Sequence, residues 1–191
     1  AKALEIDGVK KAVEPVAREF GVRELYLFGS RARGDNGPDS DYDFCIDMGG
    51  SCGIMKLVGL RQALEKVLKT LRPITRGRLV VLFGCGGDRD RKKRPIMGKT
   101  VSAFADVAIV TSDNPRTEDP EMIINDILAG MENVKAKRFI IPNRTDAIRK
   151  ALSIAKAGDV VVLAGKGHEN YQIIGREKHH LDDAEEVLNY K

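Results

Sequence analysis

The sequence is poor in features that would place it in a membrane or a covalently stapled scaffold. No run approaches the ~20 apolar residues of a membrane span, and the N-terminus has no signal-peptide pattern, so the expected compartment is the cytoplasm. Cys45, Cys52 and Cys85 are odd in number and show no CxxC spacing. They predict reduced, buried thiols, without a disulfide framework or a zinc knuckle. Neither sign of charge dominates, since 32 Lys and Arg face 28 Asp and Glu for a net +4. That balance does not announce a nucleic-acid binder. Internal repeats and low-complexity linkers are missing as well. What remains is a 191-residue chain, 42% hydrophobic and 31% charged, of ordinary globular composition and long enough for one large domain or two small ones.

The two ends of the chain follow different patterns. Residues 1–62 hold nine basic and ten acidic residues, whereas the rest holds 23 basic and 18 acidic, so the basic excess lies wholly in the second part. Apolar residues at Ile6, Val9, Val13, Val16 and Phe20 predict a helix over 6–20 with a kink at Pro15. Strands are expected over 24–28 (ELYLF) and 41–47 (DYDFCID), then a helix over 54–71 ending before Pro73. From residue 78 onward, apolar runs (RLVVLF, DVAIVT, RFIIP, DVVVLAG) alternate with amphipathic segments over 96–104, 120–131 and 145–157. Such alternation predicts a parallel sheet covered on both faces. One more strand is expected over 171–174 and a closing helix over 182–190.

Near the N-terminus, Gly29-Ser30-Arg31-Ala32-Arg33-Gly34 precedes Asp41-Tyr42-Asp43. Alternate strand residues share a face, so Asp41 and Asp43 are placed to share a divalent cation. A Gly-Ser turn at a helix start offers backbone N–H groups and a hydroxyl to a triphosphate. This stretch, "LYLFGSRARGDNGPDSDYDFCID", resembles the minimal nucleotidyltransferase family. The resemblance implies Gly29 and Ser30 on the nucleotide, Asp41 and Asp43 on Mg2+, and a nucleoside triphosphate such as ATP as substrate. It also implies a third carboxylate on the next strand, where RLVVLF has none.

Further on, "ALEKVLKTLRPITRGRLVVLFGCGGDRDRKKRP", "ADVAIVTSDNPRTEDPEMIINDILAGM", "NRTDAIRKALSIAKAGDVVVLAGKGHENYQ" and "LDDAEEVL" resemble the C-terminal domain of Mur ligases, in the branch that adds meso-diaminopimelate to a UDP-N-acetylmuramoyl-dipeptide. The resemblance implies a Rossmann-like α/β fold with a mostly parallel sheet, here preceded by a nucleotidyltransferase-like α/β fragment. It implies that Asp113, Asn114 and Arg116 read the distal end of the amino acid and that Arg89, Gly165 and Glu169 complete the pocket, with Glu169 facing the ammonium. Arg116 supplies a planar fork suited to a carboxylate that lysine lacks. Lys92 departs from the Gly usual in this family. The run from Arg89 to Arg94 holds five cations in six residues, an alternative nucleic-acid patch, but no aromatics interleave it. Gly165-Lys166-Gly167-His168 lacks P-loop spacing, and His179-His180 reads as surface rather than as a metal site.

The expected organisation is a nucleotidyltransferase-like fragment over 1–62 and a Mur ligase C-terminal domain over 63–191, joined through a helix over 63–70 that suits both. No Gly-x-x-x-x-Gly-Lys-Ser/Thr occurs anywhere. These features favour an engineered chimera without full ligase activity over a natural fusion, with the two pieces sharing one continuous sheet in which RLVVLF takes the place of the lost nucleotidyltransferase strand. Expected partners are small molecules, meso-diaminopimelate or a nucleoside triphosphate, rather than membrane or nucleic acid; the oligomeric state stays open.

Overall fold

Residues 79–83, LVVLF, carry no polar side chain, and a strand of that composition is stable only with both faces covered. That condition is met. A computed structural model describes residues 24–28, 42–47, 54–132, 135–166 and 169–190, with side chains from residue 64 onward. The helix expected over 6–20 lies outside the described residues. The elements run β1 (Glu24–Phe28), β2 (Tyr42–Asp47), α1 (Ile54–Ile74), β3 (Leu79–Phe83), α2 (Lys93–Phe104), β4 (Val107–Val110), α3 (Pro120–Leu128), β5 (Lys137–Ile140), α4 (Arg144–Ile154), β6 (Val160–Ala164), β7 (Tyr171–Ile174), β8 (Glu177–His180) and α5 (Asp183–Leu188).

The main sheet has the order β1-β2-β6-β3-β4-β5, with β7 and β8 forming a separate hairpin. From β2 to β5 every neighbouring pair is parallel, and β1 runs antiparallel to β2. Alternation along each strand splits the core into two layers. Leu79, Val81 and Phe83 face Leu68 and Leu71 of α1, Val101 of α2 and Ile127 of α3. Val80 and Leu82 face Ala147, Ile148 and Ala151 of α4, with Val187 of α5 packed alongside. Helix starts follow from short acceptors: Asp119 takes the Glu121 N–H with Pro120 in the first turn, and Asn143 takes the Asp146 N–H.

The structure shows how the sheet is ordered and corrects the bounds of two helices. β2 and β3 lie in one continuous sheet, as expected, with β6 between them: Asp43 pairs with Val161, and β3 pairs with the other edge of β6. All five residues of β6 are apolar and buried, which suits a position with a neighbour on each side, and α1 carries the chain across it. Helix α1 runs past Pro73 to Ile74. A proline in the last turn forfeits only one hydrogen bond, and Thr75 secures the end by donating its N–H and its hydroxyl to Leu71 O at 3.0 and 2.7 Å. Helix α2 begins at Lys93, inside the charged run, because Arg94 turns inward and is buried. Finally, β8 is a strand with no apolar residue, formed by pairing with β7.

Candidate functional site

Parallel strands bring their following loops to one edge of the sheet. Here these are residues 84–92 after β3, 111–119 after β4 and, of the loop after β6, residues 165, 166, 169 and 170. Helices α2 and α3 cover one face, while α4 returns over the other to place β6 on the far side of β3. The path therefore reverses between β3 and β6, and the crevice beyond the strand ends at such a reversal is where open α/β sheets bind ligands.

Arg116 stands at this edge with φ +52°, a conformation uncommon for a side-chain-bearing residue. The β7–β8 hairpin holds it there: the Arg116 N–H donates to Ile173 O at 3.0 Å, and Arg116 O accepts from the Gly175 N–H at 2.7 Å. Its Nη1 donates to Gly87 O at 2.7 Å and lies 3.4 Å from Asn114 O. Nε and Nη2 make no hydrogen bond among the described residues, so one nitrogen aims the guanidinium and the others stay available to a ligand. Gly86 separates Arg116 from Arg89: a methyl group there would meet Arg116 Nη1 at 2.8 Å and Arg89 Cγ at 3.8 Å. Arg89 itself is exposed, with Nη1 on Asp88 O at 3.2 Å. At Gly87 the two loops touch so closely that a methyl would lie 1.8 Å from Pro115 O.

Asn114, 3% exposed, faces the other way, toward the loop after β6. Its Oδ1 accepts from Lys166 Nζ at 2.6 Å and from the Ile173 N–H at 2.9 Å, and its Nδ2 donates to Glu169 Oε2 at 2.8 Å. Lys166 also donates to Tyr171 O at 2.5 Å and approaches Asp113 Oδ1 and Glu169 Oε2 at 3.5 and 3.7 Å. Burial holds its ammonium below the ordinary lysine range, against the pull of the Asp113 and Glu169 carboxylates. Gln172 Nε2 ties the hairpin to Asp113 O at 2.6 Å. Gly165, at φ +124°, turns the chain beside Asp113 and Arg144, a conformation that favours glycine.

The loops after β3 and β4 are fastened to each other by Arg94. Its Nη1 and Nη2 reach Glu118 Oε2 and Oε1 at 2.8 and 2.7 Å, Nη1 also reaches Asp126 Oδ2 at 2.9 Å, and Arg91 Nε joins Asp126 at 3.1 Å. The Arg94 hydrogen bonds hold the Glu118 carboxyl below its ordinary range, and those from Arg91 do the same to Asp126. The cationic run is therefore largely internal ion pairing, with Lys93 also 3.8 Å from Asp90, rather than a free stripe. Cys85, a half-buried free thiol, is pushed up to about 12 by burial and by Asp113, so it stays protonated. His180 is exposed and 2.6 Å from Glu185. Among the described residues no group of three His, Cys, Asp or Glu is placed to hold a metal ion.

Asp43, from the N-terminal motif, lies toward the opposite end of the sheet. Gly29, Ser30 and Asp41 fall outside the described residues. Asp43 sits on β2 opposite Phe28 of β1 and beside Val161 of β6. Val161 is four residues before Gly165, roughly 13 Å along a strand. At this end Asp159, the acid leading into β6, accepts from the Arg78 N–H, Nε and Nη2 and from the Lys156 N–H, at 2.6, 3.0, 2.5 and 3.0 Å. Burial alone would raise its carboxyl, but the Arg78 guanidinium and the two backbone donors outweigh it and hold the carboxyl below its ordinary range.

Comparison with known proteins matches residues 61–167 to the family described as "Mur ligase, glutamate ligase domain". The chain belongs to the Mur ligase C-terminal domain family. Residues 9–76 match the family described as "Nucleotidyltransferase domain", and the two matches overlap on α1. A relative from Clostridium botulinum, named UDP-N-acetylmuramoyl-L-alanyl-D-glutamate--2,6-diaminopimelate ligase, is 56% identical over 124 residues, covering 65% of this chain and 25% of its own length. Its namesake from Clostridioides difficile is 46% identical over 163 residues, covering 85% and 33%. A solved structure carrying the same name is 38% identical with TM-score 0.72, covering 87% of this chain and 30% of its own. The chain thus spans about a quarter to a third of the length of these relatives. The similarity to the Clostridioides protein and to the solved structure covers more of the chain than residues 63–191 can supply.

Within this Mur ligase domain the structure brings Asp113, Asn114, Arg116, Gly165 and Glu169 to one edge, with Arg89 on the adjoining loop. Sequence reasoning missed Lys166, Arg94 and the buried pair of Arg144 with Asp183. Lys166 carried one signal, since it stands two residues after the end of an all-apolar buried strand.

Proposed function

We propose that this chain is the C-terminal, amino-acid-recognising module of a Mur ligase of peptidoglycan precursor synthesis, and that the amino acid it reads is meso-diaminopimelate. One observation carries the reading: a single loop presents the guanidinium of Arg116, aimed by Gly87 O, and the amide of Asn114, which holds the Glu169 carboxylate. A cation for a distal carboxylate beside an anion for a distal ammonium is the pairing that this amino acid requires and that lysine fulfils only by half. Arg89, across Gly86 from Arg116, adds a second cation. The names of the relatives support the same ligand.

The resemblance also implies ATP and Mg2+ for ligation. The described residues fit neither, since they gather no three metal-capable side chains and the sequence has no P-loop. The proposed role is recognition of the amino acid. Calorimetric titration with meso-diaminopimelate is expected to give saturable heat that Arg116→Ala loses; identical heats for the two proteins remove the assignment.

A second reading, Mg2+-dependent nucleotide binding through Ser30, Asp41 and Asp43, is favoured by the β1–β2 register. Phe28, the residue before Gly29-Ser30 in sequence, pairs with Asp43 across the two strands. In this reading residues 1–62 derive from a nucleotidyltransferase gene, of the family that matches residues 9–76. ATP with magnesium should then raise the melting temperature and Asp43→Ala should abolish the rise; ligand at 100 times its dissociation constant adds about 2.7 kcal/mol. No shift with ATP and magnesium removes this reading.

A further inference from the structure

Lys166 is 2% exposed, and nothing assigned to the pocket so far uses its ammonium. We propose that Lys166 is a positioning residue: by fixing the Asn114 amide, it makes Asn114 hold the Glu169 carboxylate in place for the ammonium of an amino-acid ligand. The ligand half of this statement rests on the reading under Proposed function; the side-chain arrangement does not.

A lysine ammonium has three donors and no acceptor, a backbone N–H is a donor only, and an ionised carboxylate is an acceptor only. Asn114 is surrounded by one of each: Lys166 Nζ at 2.6 Å and the Ile173 N–H at 2.9 Å on one side, Glu169 Oε2 at 2.8 Å on the other. Only one orientation of the amide satisfies all three. Turned over, it would set its NH2 against two donors and its oxygen against a carboxylate, in a place where such contacts are not relieved by water. The Ile173 N–H is neutral and belongs to the hairpin, so the charge-assisted bond from Lys166 is the stronger constraint.

The charges point the same way. Lys166 Nζ spends one donor on Asn114 and one on Tyr171 O, and its remaining approach is to Asp113 Oδ1 at 3.5 Å and Glu169 Oε2 at 3.7 Å. Two carboxylates then share one ammonium, leaving a single negative charge in a half-buried setting. An incoming ammonium completes the balance; an analogue with a methylene in its place leaves it incomplete. Burial already works against the charge on Lys166, so the site is costly to build and a neutral donor would suffice if holding the loop were its only role.

The test compares the native chain with Lys166→Met and Lys166→Gln in two measurements. In the ligand-free proteins, NMR of the Asn114 side-chain NH2 should show protected protons in the native chain, protection lower by roughly tenfold or more in the Met variant, and an intermediate value in the Gln variant, which keeps a neutral donor. In titrations, the native preference for meso-diaminopimelate over 2-aminopimelate, which has the distal carboxylate but no distal amine, should fall by roughly tenfold in the Met variant. Affinity for 2-aminopimelate itself should stay nearly unchanged. An unaltered Asn114 NH2 in a folded variant, or equal weakening of both ligands, overturns the proposal. If the Met variant does not fold, the Gln variant decides by the same criteria. If the native chain binds neither amino acid, the ligand assignment falls and the Asn114 measurement alone decides the positioning role.

Discussion

Arg94 and Glu118 share two parallel hydrogen bonds, 2.8 and 2.7 Å long, that join the first turn of α2 to the loop leading into α3. The Arg94 side chain is 2% exposed, so its charge depends on that partner and on Asp126. Replacing Arg94 with Met should cost on the order of 3 kcal/mol in denaturant unfolding, because two carboxylates lose the cation between them. It should also weaken binding at Arg116, whose guanidinium is aimed by the same loop.

The acid limb of stability follows from the same cluster. Hydrogen bonds from Arg94 and Arg91 hold the carboxyls of Glu118 and Asp126 below their ordinary range in the folded protein. Their contribution is fully present above the unfolded carboxylate range and is lost as the pH falls through the lowered folded values. Unfolding midpoints measured from neutral pH downward should therefore decline less steeply in Glu118→Gln, which starts from a lower stability at neutral pH. A parallel decline in both proteins would contradict the linkage.

Arg144 and Asp183 pair with both side chains fully buried, Nε to Oδ1 at 2.8 Å and Nη2 to Oδ2 at 2.5 Å, and so fasten α5 onto α4. Asp183→Asn should cost on the order of 3 kcal/mol. The neighbouring Asp182→Ala, which removes only the cap on Ala184 N–H and Glu185 N–H, should cost about 1 kcal/mol. Chemical denaturation of the two variants compares them directly; equal losses would mean that the ion pair contributes no more than a helix cap.

His180 on β8 lies 2.6 Å from Glu185, and that hydrogen bond raises its imidazole above the ordinary histidine range. A folded value above the unfolded one contributes stability below the unfolded value and loses it as the pH rises through the folded one. NMR titration should show the His180 midpoint falling toward the ordinary histidine range in Glu185→Gln; an unchanged midpoint would contradict the pairing.

Much of this architecture was legible before the structure. ELYLF and YQII form strands with the expected bounds, and the apolar runs of β3, β4 and β6 announce a sheet covered on both faces. The grouping of Asn114, Arg116 and Glu169 was also legible, through resemblance rather than through periodicity. What escaped notice depends on long-range pairing. EKHH has no apolar residue, and it becomes a strand only because β7 lies beside it. Arg94 and Lys166 look like surface cations in the sequence, because their partners Glu118, Asp126 and Asn114 are 24 to 52 residues away. The placing of β6 between β2 and β3 is likewise a choice among apolar strands that local sequence cannot make.

Gly87 offers a direct check on how closely the loops after β3 and β4 must approach. Its position leaves 1.8 Å between an added methyl and Pro115 O, so Gly87→Ala has to separate the loops and withdraw Gly87 O from Arg116 Nη1. The variant should fold with a lower melting temperature and lose amino-acid binding to about the extent of Arg116→Ala. Native binding in Gly87→Ala would show that the clamp on Arg116 is dispensable.

The central claim is that Arg116 reads a carboxylate that lysine lacks, and its most direct measurement is a paired titration of the native chain and Arg116→Ala with meso-diaminopimelate and with L-lysine. The account predicts that the native chain binds meso-diaminopimelate at least roughly tenfold more tightly than L-lysine, a charge-assisted hydrogen-bond pair's worth, and that Arg116→Ala erases this difference by weakening meso-diaminopimelate alone. Equal affinities in the native chain, or a preference that survives Arg116→Ala, would contradict it.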